Sequence, residues 1–171
     1  NSFLSVTNIM KRVKFKPSVL EDISNYYPYF VKEGERPDIV SHAQYGTVGY
    51  AYLIMLVNDI YDPNFDWPLS SQIFEKFIIN KYGSVPLAIA GVKNYYQIVR
   101  AEVARTGTSE RVPEVKFAVD ETTFNALDSG DRSTLSDYDH EVELNDAKRE
   151  IRLINSSFIR DIDYQVKLSL K

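Results

Sequence analysis

Between residues 26 and 83 prolines and glycines fall where they force the chain to turn, and their spacing limits which elements can form there. Tyr26 to Lys32 (YYPYFVK) is aromatic and β-branched, which favours an extended strand. Pro28 confines that strand to a sheet edge or a strand start, because it has no N–H to donate. Gly34 ends it. Pro37 suits the first turn of a helix, where a missing N–H costs nothing, and Asp38 complements the helix N-terminus. Ile39, Val40 and Ala43 supply an inward stripe, and Gly46 a terminator. Thr47 can cap a second helix carrying Tyr50, Leu53, Ile54 and Val57 at i, i+3, i+4, i+7 spacing. Asp62-Pro63 and Trp67-Pro68 punctuate the next stretch, since a residue before proline avoids the helical region. Ser70 or Ser71 then opens a third helix with Ile73, Phe74, Phe77, Ile78 and Tyr82 on one side, closed by Gly83.

The second half changes character. Pro86 to Val92 suits a short helix. Tyr96, Ile98 and Val103, and then Val115, Phe117 and Val119, alternate with polar residues, and Arg105 to Pro113 between them reads as a long loop or hairpin tip. Ser129 to Asp139 is polar and turn-rich, which predicts an exposed linker. Val142 and Leu144, then Ile151 and Leu153, flank Asn145-Asp146 and suggest a hairpin. Asn155-Ser156 offers a cap for a final helix using Ile159, Ile162 and Val166.

Composition narrows the chemistry. A chain of 171 residues can bury a core without staples, and with no cysteine it has none. That excludes a disulfide scaffold, a thiol nucleophile and any thiolate metal site. His42 and His140 are the only histidines, too few for a histidine metal cluster. The net charge of −4 hides an asymmetry: Asp120 to Asp146 holds nine acids against Arg132, while Lys11, Arg12, Lys14 and Lys16 sit near the start. An acidic surface repels phosphate backbones, so no nucleic-acid partner is expected, and the basic tetrad reads as a solvated or partner-docking arm. The longest apolar run, Tyr50 to Val57, is far short of the roughly 20 residues that span a bilayer, so no membrane partner is expected. With no signal-peptide stretch, and starting at Asn1, the chain is expected to work in cytoplasm-like conditions or inside an assembly made there.

Candidate sites read as structure before they read as chemistry. Asp38, Ser41 and His42 contain the residue types of a nucleophile–base–orienter relay, but adjacent positions of one helix fan apart and cannot converge. Asp128-x-x-Asp131 with Asp137 and Asp139 lacks the ligand spacing of a calcium loop and reads as a solvated acidic loop. Asn155-Ser156-Ser157 matches a glycosylation sequon but serves better as a helix cap. Tyr95-Tyr96 and Trp67 could stack on sugars or bases; core or interface packing fits them better, since no basic groove accompanies them. No cofactor and no enzymatic activity are expected.

Tyr29-x-Val31-Lys32-x-Gly34-Glu35, followed by Ile39-Val40 and Tyr45-Gly46, resembles the first half of a LysM domain, a βααβ module that commonly binds N-acetylglucosamine polymers. Asp62-Pro63-x-x-x-Trp67-Pro68 resembles the punctuation before the LysM second strand. Here Leu69-Ser70-Ser71 leads towards a third helix instead, and the usual Ser/Thr cap is Arg36. A narrower resemblance covers nearly the whole chain. Asn8-Ile9-x-Lys11-Arg12-x-Lys14-Phe15, Tyr27-Pro28-Tyr29, Asn58-x-Ile60-x-Asp62-Pro63, Asp66-Trp67-Pro68-Leu69-Ser70, Asp120-Glu121-Thr122-Thr123 and Glu143-Leu144-Asn145-x-Ala147-Lys148-Arg149-x-Ile151 follow in order. Together they resemble the LysM-like baseplate wedge subunit of contractile-tailed bacteriophages, the gene product fifty-three family.

The expected fold is α+β: a LysM-like βαα module with an added helix, then a small β-hairpin-containing region and a C-terminal helix. The expected division is a docking arm at 1–25, the module with its third helix at 26–83, and a β-rich extension with an acidic loop and the C-terminal helix at 84–171. The resemblance implies a structural protein of the virion tail baseplate, assembled in the host cytoplasm in multiple symmetric copies. It would clamp neighbouring wedge subunits and link the baseplate to the contractile tail, with other wedge and tail proteins as partners. The alternative is a LysM glycan-binding module recognising peptidoglycan; a strand after Pro68 would favour it, a helix the wedge protein. Either way the candidate interface or vestigial glycan groove comprises Gly34, Glu35, Arg36, Pro37, Asn58, Ile60, Tyr61 and Trp67.

Overall fold

Among the described residues Pro28 lies in a strand with one partner. In a computed structural model describing residues 14, 25–105, 107 and 110–170, β1 (Tyr26–Phe30) pairs antiparallel with β5 (Glu150–Ile154), Tyr26 opposite Ile154 and Phe30 opposite Glu150. The 1–25 docking arm lies outside the described residues except for Lys14 and Asn25. Two helices follow β1. In α1 (Pro37–Tyr45) proline occupies the first turn, and Gly46, at φ +73°, closes the helix by donating its N–H to His42 O at 2.9 Å. Thr47 caps as expected, accepting from Gly49 N, but the element it caps is a 3-10 turn (Val48–Tyr50) leading into α2 (Ala51–Val57).

The apolar spacing of α1 and α2 buries one stripe of each against the sheet. Val31, Val40, Ile54, Trp67, Ile151 and Leu153 form one cluster. Leu53, Val57 and Ile154 form a second with Ile159 and Val166 of α7 (Ile159–Ser169). Each such aliphatic side chain, fully buried, contributes about 1.5–3 kcal/mol. The stripe of α1 is narrower than expected: Val40 is buried, whereas Ile39 and Ala43 are exposed and the second inward position belongs to Ser41, whose hydroxyl donates to Thr47 O at 2.7 Å.

After Pro68 comes α3 (Ser71–Tyr82), ended by Gly83 at φ +87°. It buries Phe74 and Ile78, while Ile73, expected on the same side, faces solvent. Ser84 then accepts from Leu87 N and starts α4 (Val85–Ala90). β2 (Val92–Arg100) and β3 (Val115–Val119) pair antiparallel, and a Val103–Val112 bridge carries the pairing towards the tip, the hairpin that their alternation predicts. Asp120 caps α5 (Glu121–Ala126) by accepting from Thr122 and Thr123 N–H. β4 (Arg132–Ser136) then pairs with the other side of β2, giving the order β3-β2-β4.

Three sequence expectations fail here. Residues 129–139 are not an exposed linker: they hold β4 and the first turn of α6 (Asp137–Ala147). No hairpin turns at Asn145-Asp146, because α6 runs through both residues and Leu144, and the strand that follows pairs with β1. The helix is started by chemistry rather than by an apolar stripe: Ser136 Oγ accepts from Asp139 N at 3.0 Å and donates to Asp139 Oδ2 at 2.8 Å, and two acids occupy its first turn. The last helix has Phe158 at its N-cap, while Asn155 accepts from Ser157 N to close the preceding turn.

The described residues thus form a mixed α+β protein with seven α-helices and two small antiparallel sheets. They fall into two compact units, one made of the residues up to Ser71 together with those from Asn145 onward, the other of Gln72–Leu144. Eleven of the buried apolar residues lie in the first unit; the second has Phe74, Ile78 and Ala88.

Candidate functional site

Four of the eight sequence-predicted residues sit in the turn between β1 and α1. Gly34, at φ +73°, reverses the chain, and Glu35 N donates to Lys32 O at 3.1 Å. The Glu35 carboxylate accepts from Lys32 N and from the Tyr29 hydroxyl, both at 2.9 Å. Burial, helped by that carboxylate, pushes the Tyr29 phenol up to about 12, so it remains a neutral donor at physiological pH. Arg36 is turned onto Asp38 through Nε at 3.1 Å and Nη2 at 2.8 Å, and Pro37 opens α1.

The other four come from the segment after α2. The Trp67 indole Nε1 donates to Glu35 O at 2.7 Å, and its ring, 4% exposed, packs in the first core cluster with Ile60 against it. Asn58 behaves like a short piece of strand: Nδ2 donates to Ile54 O and Arg152 O, and Oδ1 accepts from Arg152 N, each at 2.8 Å. Tyr61 is exposed, with its N–H on Asp66 Oδ2 at 3.0 Å and its hydroxyl on Asp59. The Asp62 and Tyr61 N–H groups hold the Asp66 carboxyl below its usual range.

Glu35 and Trp67 are therefore brought together, but as framework. A buried Trp67 ring offers no face to a sugar, and Glu35 and Asn58 spend their polar atoms internally. The exposed side chains of the set are Arg36 and Tyr61; the sequence reading missed Phe65, 69% exposed on the same loop. Asp38, Ser41 and His42 do not converge, since Asp38 binds Arg36 and Ser41 is buried on Thr47 O. Among the described residues no group of three His, Cys, Asp or Glu could hold a metal ion, and no helix is long and apolar enough to cross a membrane.

The sequence reading also passed over a polar clasp built by the late Glu143-to-Ile151 motif. Asn145 accepts from Leu69 N at 2.7 Å and donates to Leu69 O at 3.1 Å, although only 8% exposed. Arg149 Nη2 meets Glu33 at 2.8 Å and Nε meets Asp146 at 3.0 Å. Burial alone would lower the guanidinium pKa; the two carboxylates outweigh it and raise it. Glu33 in turn accepts from Ser71 N and Oγ, and these bonds with the Arg149 contact hold its carboxyl below its usual range. Lys148 reaches Phe65 O. Three polar residues of one short motif thus fasten the segments at 31–33 and 65–71, giving a physical reason for Asn145, Lys148 and Arg149 to stand where they do.

The sequence model of one family, base plate wedge protein 53, matches residues 2–164, which takes in both compact units and the clasp. The chain belongs to the base plate wedge protein 53 family. No curated protein matches it. As a member of this family the chain has a structural role in the phage baseplate, among other baseplate proteins of the virion tail. The two segments that suggested the family meet where Asn145 of the late motif makes two hydrogen bonds with Leu69 of Asp66-Trp67-Pro68-Leu69-Ser70.

Proposed function

We propose that the chain clamps neighbouring wedge subunits and couples the baseplate to a contractile tail, working by adhesion and without a reaction. The observation that carries this reading is the surface of the Gln72–Leu144 unit. With three buried apolar residues, it leaves Ile73, Leu87, Ile89, Val99 and Phe117 each 55–63% exposed. Small domains bury too little apolar surface to be robust alone, and large apolar side chains left this exposed are the kind a partner covers. Assembly in the host cytoplasm, in several symmetric copies and without nucleic acid or membrane, completes the reading. The net charge of −4 supports the nucleic-acid part.

The LysM-like part of the reading rests on topology. Two helices follow β1, and an antiparallel partner strand closes the two-stranded sheet, which is the βααβ order with its second strand delayed to Glu150–Ile154. Residues 72–144 are then an insertion into the module. Within it, Gly34, Glu35, Asn58, Ile60 and Trp67 serve as frame, while Arg36, Tyr61 and Phe65 present the contact surface.

Phe117→Asp and the pair Leu87→Asp with Ile89→Asp test the clamp. Exposed positions tolerate such changes within about 0.5 kcal/mol of folding stability. Both variants should melt like the parent chain yet fail to enter wedges reconstituted from purified baseplate proteins. Normal incorporation of both would overturn the reading.

A further inference from the structure

The first unit carries a cleft of about 310 Å³ lined by Gln44, Tyr45, Thr47, Tyr50, Ser156, Ile159 and Arg160. None of the eight turn and loop residues belongs to it. The end of α1 and the 3-10 turn form one side, and Ser156 with the first turn of α7 forms the other. Two rings fix its floor: Tyr45 and Tyr50 meet edge to face at 5.9 Å, and the Tyr45 hydroxyl is held by Ile154 O at 2.8 Å.

The polar groups around that floor are donors. Gln44 Oε1 accepts from the Tyr27 hydroxyl at 3.0 Å, which leaves the Gln44 amide N–H groups for a ligand. Thr47 Oγ accepts from Gly49 N, which leaves its O–H to give. Among the described residues Arg160 has neither an ion pair nor a hydrogen bond, and no carboxylate lines the cleft. A guanidinium without a partner among the described residues, in a cleft with two fixed rings, selects a carboxylate with an apolar neighbour. A phosphate backbone would need a row of cations, and the lining has one.

We propose that this cleft captures an acidic peptide segment of a neighbouring baseplate protein, with its carboxylate on Arg160 and an adjacent apolar side chain against Tyr45 and Tyr50. That the occupant is a baseplate protein rests on the family role described above. The cleft is a docking point separate from the apolar surface of the 72–144 unit.

The test titrates the ¹⁵N-labelled full chain with an acetylated, amidated Asp-Leu-Glu-Leu-Asp peptide, its neutral Asn-Leu-Gln-Leu-Asn counterpart, and sodium phosphate. The acidic peptide should shift the resonances of Gln44, Thr47, Ser156 and Arg160 in a saturable, salt-sensitive manner. Arg160→Glu should weaken it at least about ten-fold and Arg160→Lys less, because losing a charged bidentate partner costs more than losing only its fork. Among the described residues the Arg160 side chain makes no hydrogen bond or ion pair, so both variants should keep the parent spectrum elsewhere. Equal binding of the neutral peptide, unchanged affinity in Arg160→Glu, or the same shifts from phosphate at the same affinity would each overturn the proposal. So would the absence of binding; incorporation of the 72–144 surface variants into wedges reads the clamp separately.

Discussion

Replacing Trp67 should unlock the junction where the chain leaves the sheet-and-helix core for α3. The ring is 4% exposed and packs with Val31, Val40, Ile54, Ile151 and Leu153, so truncation removes a large apolar volume from the centre of one cluster. Buried Trp→Ala changes typically cost about 3–5 kcal/mol. The indole N–H is also the donor on Glu35 O at 2.7 Å, and stranding that carbonyl adds about 1 kcal/mol or more. A total near 4–6 kcal/mol is a large share of the roughly 5–15 kcal/mol that holds a typical domain folded. In a chain of this size it lowers Tm by roughly 8–24 °C. Trp67→Phe separates the two contributions: it keeps most of the apolar contact, loses the donor, and should cost about 1–3 kcal/mol. Thermal and urea unfolding of the full chain by circular dichroism measures both. Trp67→Ala melting within about 2 °C of the parent would refute the junction role. Trp67→Phe melting as low as Trp67→Ala would refute the assignment of most of the cost to the ring.

Asn145→Ala removes both bonds to Leu69 and should cost about 1–3 kcal/mol in urea unfolding. Glu141 is buried, with Lys81 Nζ at 2.6 Å and the Tyr82 hydroxyl at 2.8 Å; burial alone would raise its carboxyl pKa, but these partners outweigh it and hold it below its usual range. A lowered folded value adds stability above the unfolded value and loses it as pH falls through the folded one, so the parent should lose more stability than Glu141→Gln when melts at pH 7 and pH 3 are compared. Gly46→Ala places a side chain at φ +73° where no atom lies within 4 Å, so only backbone strain acts and the loss should be about 1 kcal/mol, read as a shifted urea midpoint with an unchanged slope.

Much of this site was legible in the residues themselves, and its meaning was not. The loop that holds Trp67 could be read from Asp62-Pro63 and Trp67-Pro68, because proline restricts its neighbour wherever it stands. Whether that indole faced a ligand or the core depended on Glu35 offering its carbonyl, 32 residues earlier. The clasp was visible as a motif and silent as chemistry, since Asn145 reads as a hairpin-turn residue and Arg149 as a charge on its outer face until Leu69 and Glu33 stand beside them.

The sequence by itself determined the elements whose signals are local. β1, α1, α2, α3 and the β2–β3 hairpin follow from aromatic and β-branched runs, apolar spacing, and Pro37, Gly46 and Gly83 at element ends. Tertiary structure decided the rest, where the stabilising partner is remote. α6 reads DYDHEVELNDA, with too few apolar residues for a stripe, and its Glu141 is held by Lys81 and Tyr82, about 60 residues away. β5 is five residues that could have turned back on their neighbours; they become a strand against β1 because Pro28 leaves that edge with one partner to find, and Ile151 and Leu153 complete the core that Val31, Val40 and Ile54 begin. Local propensity names an element only when the element is stabilised by its own residues; a two-stranded sheet closed across more than a hundred residues is stabilised by the core it covers.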